Sequence, residues 1–230
     1  INKANKPICT RLIIIMNVKI CGLKTSSDID NCIKAGADFI GFVFFKESPR
    51  HLSPAKSTDL SDYYARNYSD SGIKKVALCV NPTDKEISEI ISTSRPDFLQ
   101  LHGTESPMRV DEIRQKYGLP IIKVIRVKTQ LDIKASQQYN ISADWLLFDA
   151  AASADLMPGG NGKSFNWSLL ADFECDLPWM LAGGLNPNNV AHAIAQTNPD
   201  GVDVSSGVEA SAGIKDDLMI SAFVKSAKMG

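Results

Sequence analysis

Eight short apolar runs, rich in β-branched and aromatic residues, recur along the chain, each followed by a longer segment of mixed polarity. This repeat restricts the fold more than any other feature. The runs are 17–21, 39–44, 75–80, 98–102, 121–127, 145–149, 179–182 and 201–205. Their near-continuous apolar character predicts parallel strands covered on both faces, and the intervening segments read as crossover helices. Clear examples are 26–35 and 84–94, the latter with Ile87, Ile90 and Ile91 on one helical face. Pro54, Pro82 and Pro187 stand near predicted helix starts, where a missing amide proton costs little, and Ser27, Thr104 and Asn186 are candidate N-caps. A length of 230 residues admits either a doubly wound sheet or an α/β barrel. Eight alternating units close naturally into a single (β/α)8 TIM barrel, the expected fold.

No low-complexity linker or charge run divides the chain. The expected organisation is therefore one domain over 17–230, preceded by an N-terminal extension over 1–16, with Met16 a candidate start. The basic residues Lys3, Lys6 and Arg11 before the apolar run 12–16 superficially resemble an export signal. The run is short, however, and Lys19 and Ile20 replace the small residues expected before a cleavage site at Cys21. No stretch approaches the roughly 20 apolar residues that cross a bilayer. The cysteines Cys9, Cys21, Cys32, Cys79 and Cys175 are scattered and odd in number, which suggests neither a disulfide framework nor a zinc site and fits a reducing cytoplasm. Twenty-five basic residues against 26 acidic ones provide no general attraction to nucleic acid or an anionic membrane. An anionic ligand must be held by local groups.

In such barrels, chemistry gathers where strand C-termini feed the following loops. There the first strand presents Cys21, followed by Gly22, and the sixth presents Asp149. A thiol at the rim can act as a base, although a free cysteine is more often buried and structural. A strand-end aspartate can donate a proton, or can cap a turn. Gly160 and Gly162 in the loop after the sixth strand, Gly183 and Gly184 after the seventh, and Ser205, Ser206 and Gly207 after the eighth offer backbone amides and hydroxyls to a phosphate. Each turn alone is equally readable as structure. Three dispersed histidines make a metal site improbable.

Lys19-Ile20-Cys21-Gly22, Gly41-Phe42-Val43-Phe44, Leu99-Gln100-Leu101-His102-Gly103 and Leu181-Ala182-Gly183-Gly184-Leu185 resemble successive signatures of the phosphoribosylanthranilate isomerases. The segments 48–54, 159–167 and 202–209, and then Gly213-Ile214-Lys215-Asp216, are similar in content, order and spacing, so the resemblance runs from about Asn17 to the C-terminus. It implies an Amadori rearrangement of N-(5′-phosphoribosyl)anthranilate to 1-(2-carboxyphenylamino)-1-deoxyribulose 5-phosphate in tryptophan biosynthesis, with no metal or organic cofactor. Asp149 matches the family's general acid and Cys21 its general base. Arg50 matches the position that engages the anthranilate carboxylate, for which a guanidinium offers paired donors, and His102 is a candidate for orienting the substrate. The expected partner is a phosphorylated small molecule, and the chain is expected to act as a monomer or homodimer.

Two alternatives share this outline. The related histidine-pathway sugar isomerase uses two aspartates, and Cys21 occupies the position where one is expected. A barrel retaining phosphate binding without catalysis has no need of the Cys21 and Asp149 pair. One departure from the family pattern, the absence of proline before Gly213, predicts a looser last phosphate loop.

Overall fold

A parallel sheet loses both edges only when its last strand returns to the first, and here it does. In the computed structural model, which describes residues 16–150 and 166–229, strand β8 (Gly201–Val204) pairs with β1 (Asn17–Cys21) in the register Asn17↔Gly201 to Ile20↔Val204. Between them β2 (Phe39–Phe44), β3 (Lys74–Cys79), β4 (Phe98–Leu101), β5 (Ile121–Val127), β6 (Trp145–Ala150) and β7 (Trp179–Leu181) follow in chain order around a closed barrel. All eight predicted strands are present, with ends moved by one residue at most. The doubly wound alternative is excluded by closure. The 1–15 part of the proposed extension lies outside the described residues.

The helices start where side chains satisfy otherwise unpaired amides. Helix α1 (Ser26–Ala35) is capped by Thr25 in a reciprocal box with Asp28, and Gly36 ends it at φ 81°. The expected cap, Ser27, is two residues too late, because the carboxylate that completes the box is Asp28. Helix α2 (Pro54–Tyr68) begins on Ser53 with Pro54 in its first turn, and α3 (Asp84–Ser94) has a Thr83–Glu86 box. Helix α4 (Pro107–Tyr117) is capped by Ser106 rather than the expected Thr104, whose hydroxyl and amide instead donate to Asn81. Asn186 accepts from the Asn188 amide in a turn, and α6 (Val190–Thr197) opens after Asn189. Each side-chain cap contributes about 1 kcal/mol. The remaining α-helices among the described residues are α5 (Gln130–Ala135) and α7 (Asp217–Met229). No described helix is long and apolar enough to cross a membrane.

Strand alternation sorts side chains between two spaces. One set packs outward against the helices in the main core, including Ile20, Ile40, Ala77, Leu101, Leu146, Phe148 and Val202. The other set faces the lumen, whose lower part is plugged by Phe39, Val76, Ile122, Val124, Leu147, Met180 and Ala182. Phe39 packs edge-on against Phe98 and Trp145 at ring separations of 5.6 and 6.0 Å. Above the plug, Cys21 groups with Val43 and Leu78, backed by Phe45 and Val80. Only the end of the lumen toward the strand C-termini is left for a ligand.

Candidate active site

The inward set carries the polar residues in register. On β1, Lys19 and Cys21 are two residues apart and share the lumen face; on β4 the same spacing relates Gln100 to the following His102, and on β8 it relates Asp203 to Ser205. Cys21, Arg50, His102, Asp149 and Ser205 line one pocket, together with Gln100, Asp203 and Ser48. The four residues carried over from the resemblance therefore converge, although they arise from the first, second, fourth and sixth strands or the loops after them.

Cys21 is 3% exposed. Its neighbour on β2, Gly41, has no side chain for a steric reason: a Cβ there would stand 2.8 Å from Cys21 Sγ and 3.1 Å from Lys19 Nζ. Lys19 is wholly buried and bonds Asp203 Oδ1 at 2.9 Å. Burial pushes the Cys21 thiol up from its ordinary value, the Lys19 ammonium opposes that rise, and burial prevails. Gly22 turns the chain at φ 85°, and a Cβ on it would meet Arg50 Cδ at 2.8 Å, so the arginine lies across a bare backbone.

Asp149 ends the inward face of β6, with Oδ1 accepting from the Ala150 amide at 2.8 Å. Its Oδ2 is 3.4 Å from His102 Nε2, within ion-pair distance, but the approach is not a hydrogen bond, and Nε2 is a buried atom with no partner among the described residues. The backbone beneath the histidine is firmly held. Arg126 Nη2 donates to the His102 carbonyl at 2.8 Å, and the buried Lys123–Glu105 pair at 2.7 Å also binds the Leu101 and Gly103 carbonyls and the Gly103 amide. A fixed ring with an unspent nitrogen beside a carboxylate is suited to a ligand that bonds both.

Arg50 is buried, and one edge of its guanidinium is occupied: Nε and Nη2 donate to Glu209 Oε1 and Oε2 at 2.8 and 2.6 Å. Glu209 also accepts from Lys215 Nζ at 2.8 Å and the Gly213 amide at 3.1 Å, while Lys215 reaches the Ser205 carbonyl at 2.9 Å. These bonds tie the short hairpin of β9 (Glu209–Ser211) and β10 (Ile214–Lys215) to the rim. The Gly213 amide is anchored directly on Glu209, a contact that works against the loosening expected from the missing proline.

Of the candidate phosphate residues, Ser205 reaches the pocket and Gly183 abuts Asp149, where a Cβ would stand 3.1 Å from Oδ1 and 2.6 Å from the Ala150 nitrogen. Gly183 and Gly184 have φ values of 84° and 71°, and their N–H groups donate to no acceptor among the described residues. Gly184 and Ser206 do not line this pocket, and Gly207 packs under the Leu185 carbonyl beside a separate surface depression. Gly160 and Gly162 lie outside the described residues. Among those described, no three His, Cys, Asp or Glu residues are grouped as metal ligands.

Lys19, Gln100, Asp203, Glu209 and Lys215 were not singled out from sequence. For the first three the signal existed: each lies two residues before a rim residue on a lumen-facing strand. Glu209 and Lys215 lie in the motifs 202–209 and 213–216, but their pairing depends on how the last loop folds back and leaves no local pattern.

A closed (β/α)8 barrel with a thiol, a carboxylate, an imidazole and a guanidinium at its C-terminal mouth is equipped for acid–base chemistry on an anionic ligand. The chain matches the family described as N-(5′-phosphoribosyl)anthranilate (PRA) isomerase over residues 18–226, and it belongs to that family. It is 48% identical over 208 residues to an N-(5′-phosphoribosyl)anthranilate isomerase of Rhizobium etli (strain CIAT 652), covering 90% of this chain and 91% of that protein. Among solved structures it is similar to the phosphoribosyl anthranilate isomerase from Thermotoga maritima, with a TM-score of 0.83 and 33% identity over 94% of this chain and 100% of the other. A phosphoribosyl anthranilate isomerase in complex with reduced 1-(o-carboxyphenylamino)-1-deoxyribulose 5-phosphate matches with a TM-score of 0.78 and 32% identity, over the same shares.

Proposed function

We propose that the chain converts N-(5′-phosphoribosyl)anthranilate into 1-(2-carboxyphenylamino)-1-deoxyribulose 5-phosphate, a step of tryptophan biosynthesis, with Asp149 as general acid and Cys21 as general base. The observation that carries the residue assignment is the convergence of both groups on one pocket at the barrel mouth. As the anthranilate nitrogen lone pair forms C1′=N⁺, the C1′–O4′ bond breaks and O4′ takes the Asp149 proton. Cys21 Sγ then removes the C2′ proton. The C–H electrons become C1′=C2′, and the iminium electrons return to nitrogen. Loss of the O2′ proton and gain of one at C1′ give the ketone, so the rearrangement is redox-neutral overall. Proton transfer of this kind asks for an acid that holds its proton and a base that has lost its own.

His102 Nε2 is assigned to the substrate beside Asp149, and the remaining Arg50 donors to the anthranilate carboxylate. Gly183, Gly184, Ser205, Ser206 and Gly207, with Gly160 and Gly162, are assigned to the phosphate; the unspent amides of the first two favour this most directly. The catalytic unit is assigned to 17–230, acting as a monomer or homodimer in the cytoplasm. Support for that compartment comes from the free state of Cys21, Cys32, Cys79 and Cys175.

The test follows the loss of substrate fluorescence with freshly generated phosphoribosylanthranilate. Folded Cys21→Ala and Asp149→Ala proteins should each lose about 10²- to 10⁴-fold in kcat. An undiminished rate in either variant removes that residue from its role, and an inactive, folded parent protein removes the whole assignment.

A further inference from the structure

The reading of Cys21 as base leaves a physical problem. Burial raises the thiol, whereas proton abstraction needs the thiolate. The groups facing it are Lys19 from its own strand, Asp203 from β8 and Lys215 from β10, with Arg50, His102 and Asp149 around the same pocket. Arg50 and Lys215 are both bonded to Glu209. Lys19 differs from them in place. Two residues below Cys21 on the same strand face, it shares with Sγ the space that Gly41 leaves open, bonds Asp203 at 2.9 Å and reaches the Cys21 thiol from the other side.

A lysine with no exposed surface is expensive to bury, and a neutral side chain of similar length would fill the lumen without that cost. Burial lowers the Lys19 ammonium, but attraction to Asp203 and then to Cys21 outweighs it, so the cation is retained.

We propose that Lys19 is a positioning residue for the base: its buried ammonium, seated between the Asp203 carboxylate and Cys21 Sγ beside the bare Gly41, holds the thiolate ready for proton abstraction. Asp203 is the counterweight in this arrangement. Its negative charge opposes the thiolate directly and draws on the same ammonium that serves it, while the thiolate itself also favours the charged lysine. The proposal rests on Cys21 being the base, but its physical content, control of the thiol by Lys19, is measurable without turnover.

The experiment is the pH dependence of Cys21 alkylation by iodoacetamide, read at that residue by mass spectrometry, in the parent protein, Lys19→Met and Asp203→Asn. Lys19→Met should raise the midpoint by about one pH unit, slowing alkylation at neutral pH about tenfold. Asp203→Asn should move the midpoint the other way, because the ammonium then acts on the thiolate alone. A simple packing role would not give shifts of opposite sign. An unchanged midpoint in folded Lys19→Met overturns the proposal. Should that variant not fold, Asp203→Asn decides it: a lower midpoint supports the proposal, and an unchanged or higher one overturns it. Full activity of Cys21→Ala would instead remove the base assignment while leaving the alkylation result intact, so the two failures are distinguishable.

Discussion

Arg50 and Glu209 meet as a two-bond fork, Nε to Oε1 at 2.8 Å and Nη2 to Oε2 at 2.6 Å, across 159 residues of sequence. Both side chains are nearly out of solvent, and the pair joins the loop after β2 to the hairpin after β8. Replacing Glu209 by Ala leaves two buried cations, Arg50 and Lys215, without their carboxylate. The expected loss is about 3 kcal/mol of unfolding free energy, measured by urea titration. A loss below about 1 kcal/mol, the range of exposed pairs, would show that water screens the fork.

The same carboxylate gives stability a defined pH dependence. Burial alone would raise Glu209, but the hydrogen bonds from Arg50 and the Lys215 ammonium outweigh it and hold the group below its ordinary value. A depressed folded value means that the unfolded chain binds the proton more readily. The contribution is therefore complete above the unfolded glutamate value, about 4.3, and drains away as pH falls through the folded one. The stability gap between the parent protein and Glu209→Gln should be flat near neutrality and narrow in acid. A gap that widens on acidification contradicts the sign.

His102 offers an unspent Nε2 3.4 Å from Asp149 Oδ2. If the ring bonds the substrate beside the acid, His102→Gln should lower kcat/KM by about 10- to 100-fold, the scale of a hydrogen bond to a charged group. Thermal unfolding of the free protein should change little, because the described bonds at this position are made by its backbone. A large loss of stability with full activity would assign the ring to structure instead.

Gly183 bears on Asp149 through its missing side chain. At φ 84°, with the Ala150 nitrogen 2.6 Å from where a Cβ would stand, Gly183→Ala requires the end of β6 or the turn after β7 to move. The left-handed conformation alone costs about 1 to 2 kcal/mol. We expect kcat to fall at least tenfold, since displacements of about 1 Å near reacting groups carry costs of this order or larger. Unchanged kcat and KM would mean that the reaction tolerates a shift at Asp149.

The barrel was legible because its signal is repeated: eight apolar runs, each bounded by turn and cap residues, overdetermine the topology even though Ser27 and Thr104 are not the caps. Cys21 and Asp149 were legible by position, as strand-end residues in motifs that resemble a family. Lys19 and Asp203 escaped notice because a charged residue inside an apolar strand reads as an interruption until closure brings the first and eighth strands together. The Arg50–Glu209 fork was hidden for a related reason, since long-range pairs leave no local pattern. Arg50 alone suggested a ligand-binding group, whereas in the structure one edge of its guanidinium stabilises the rim and the other donors are left for a ligand.

The apolar plug formed by Phe39, Ile122, Leu147 and Met180 makes the barrel a blind well rather than a passage. Whatever enters must leave by the same mouth, and product awaiting departure stands in the path of the next substrate. The product should therefore act as a competitive inhibitor, because the two molecules share one doorway and one seat.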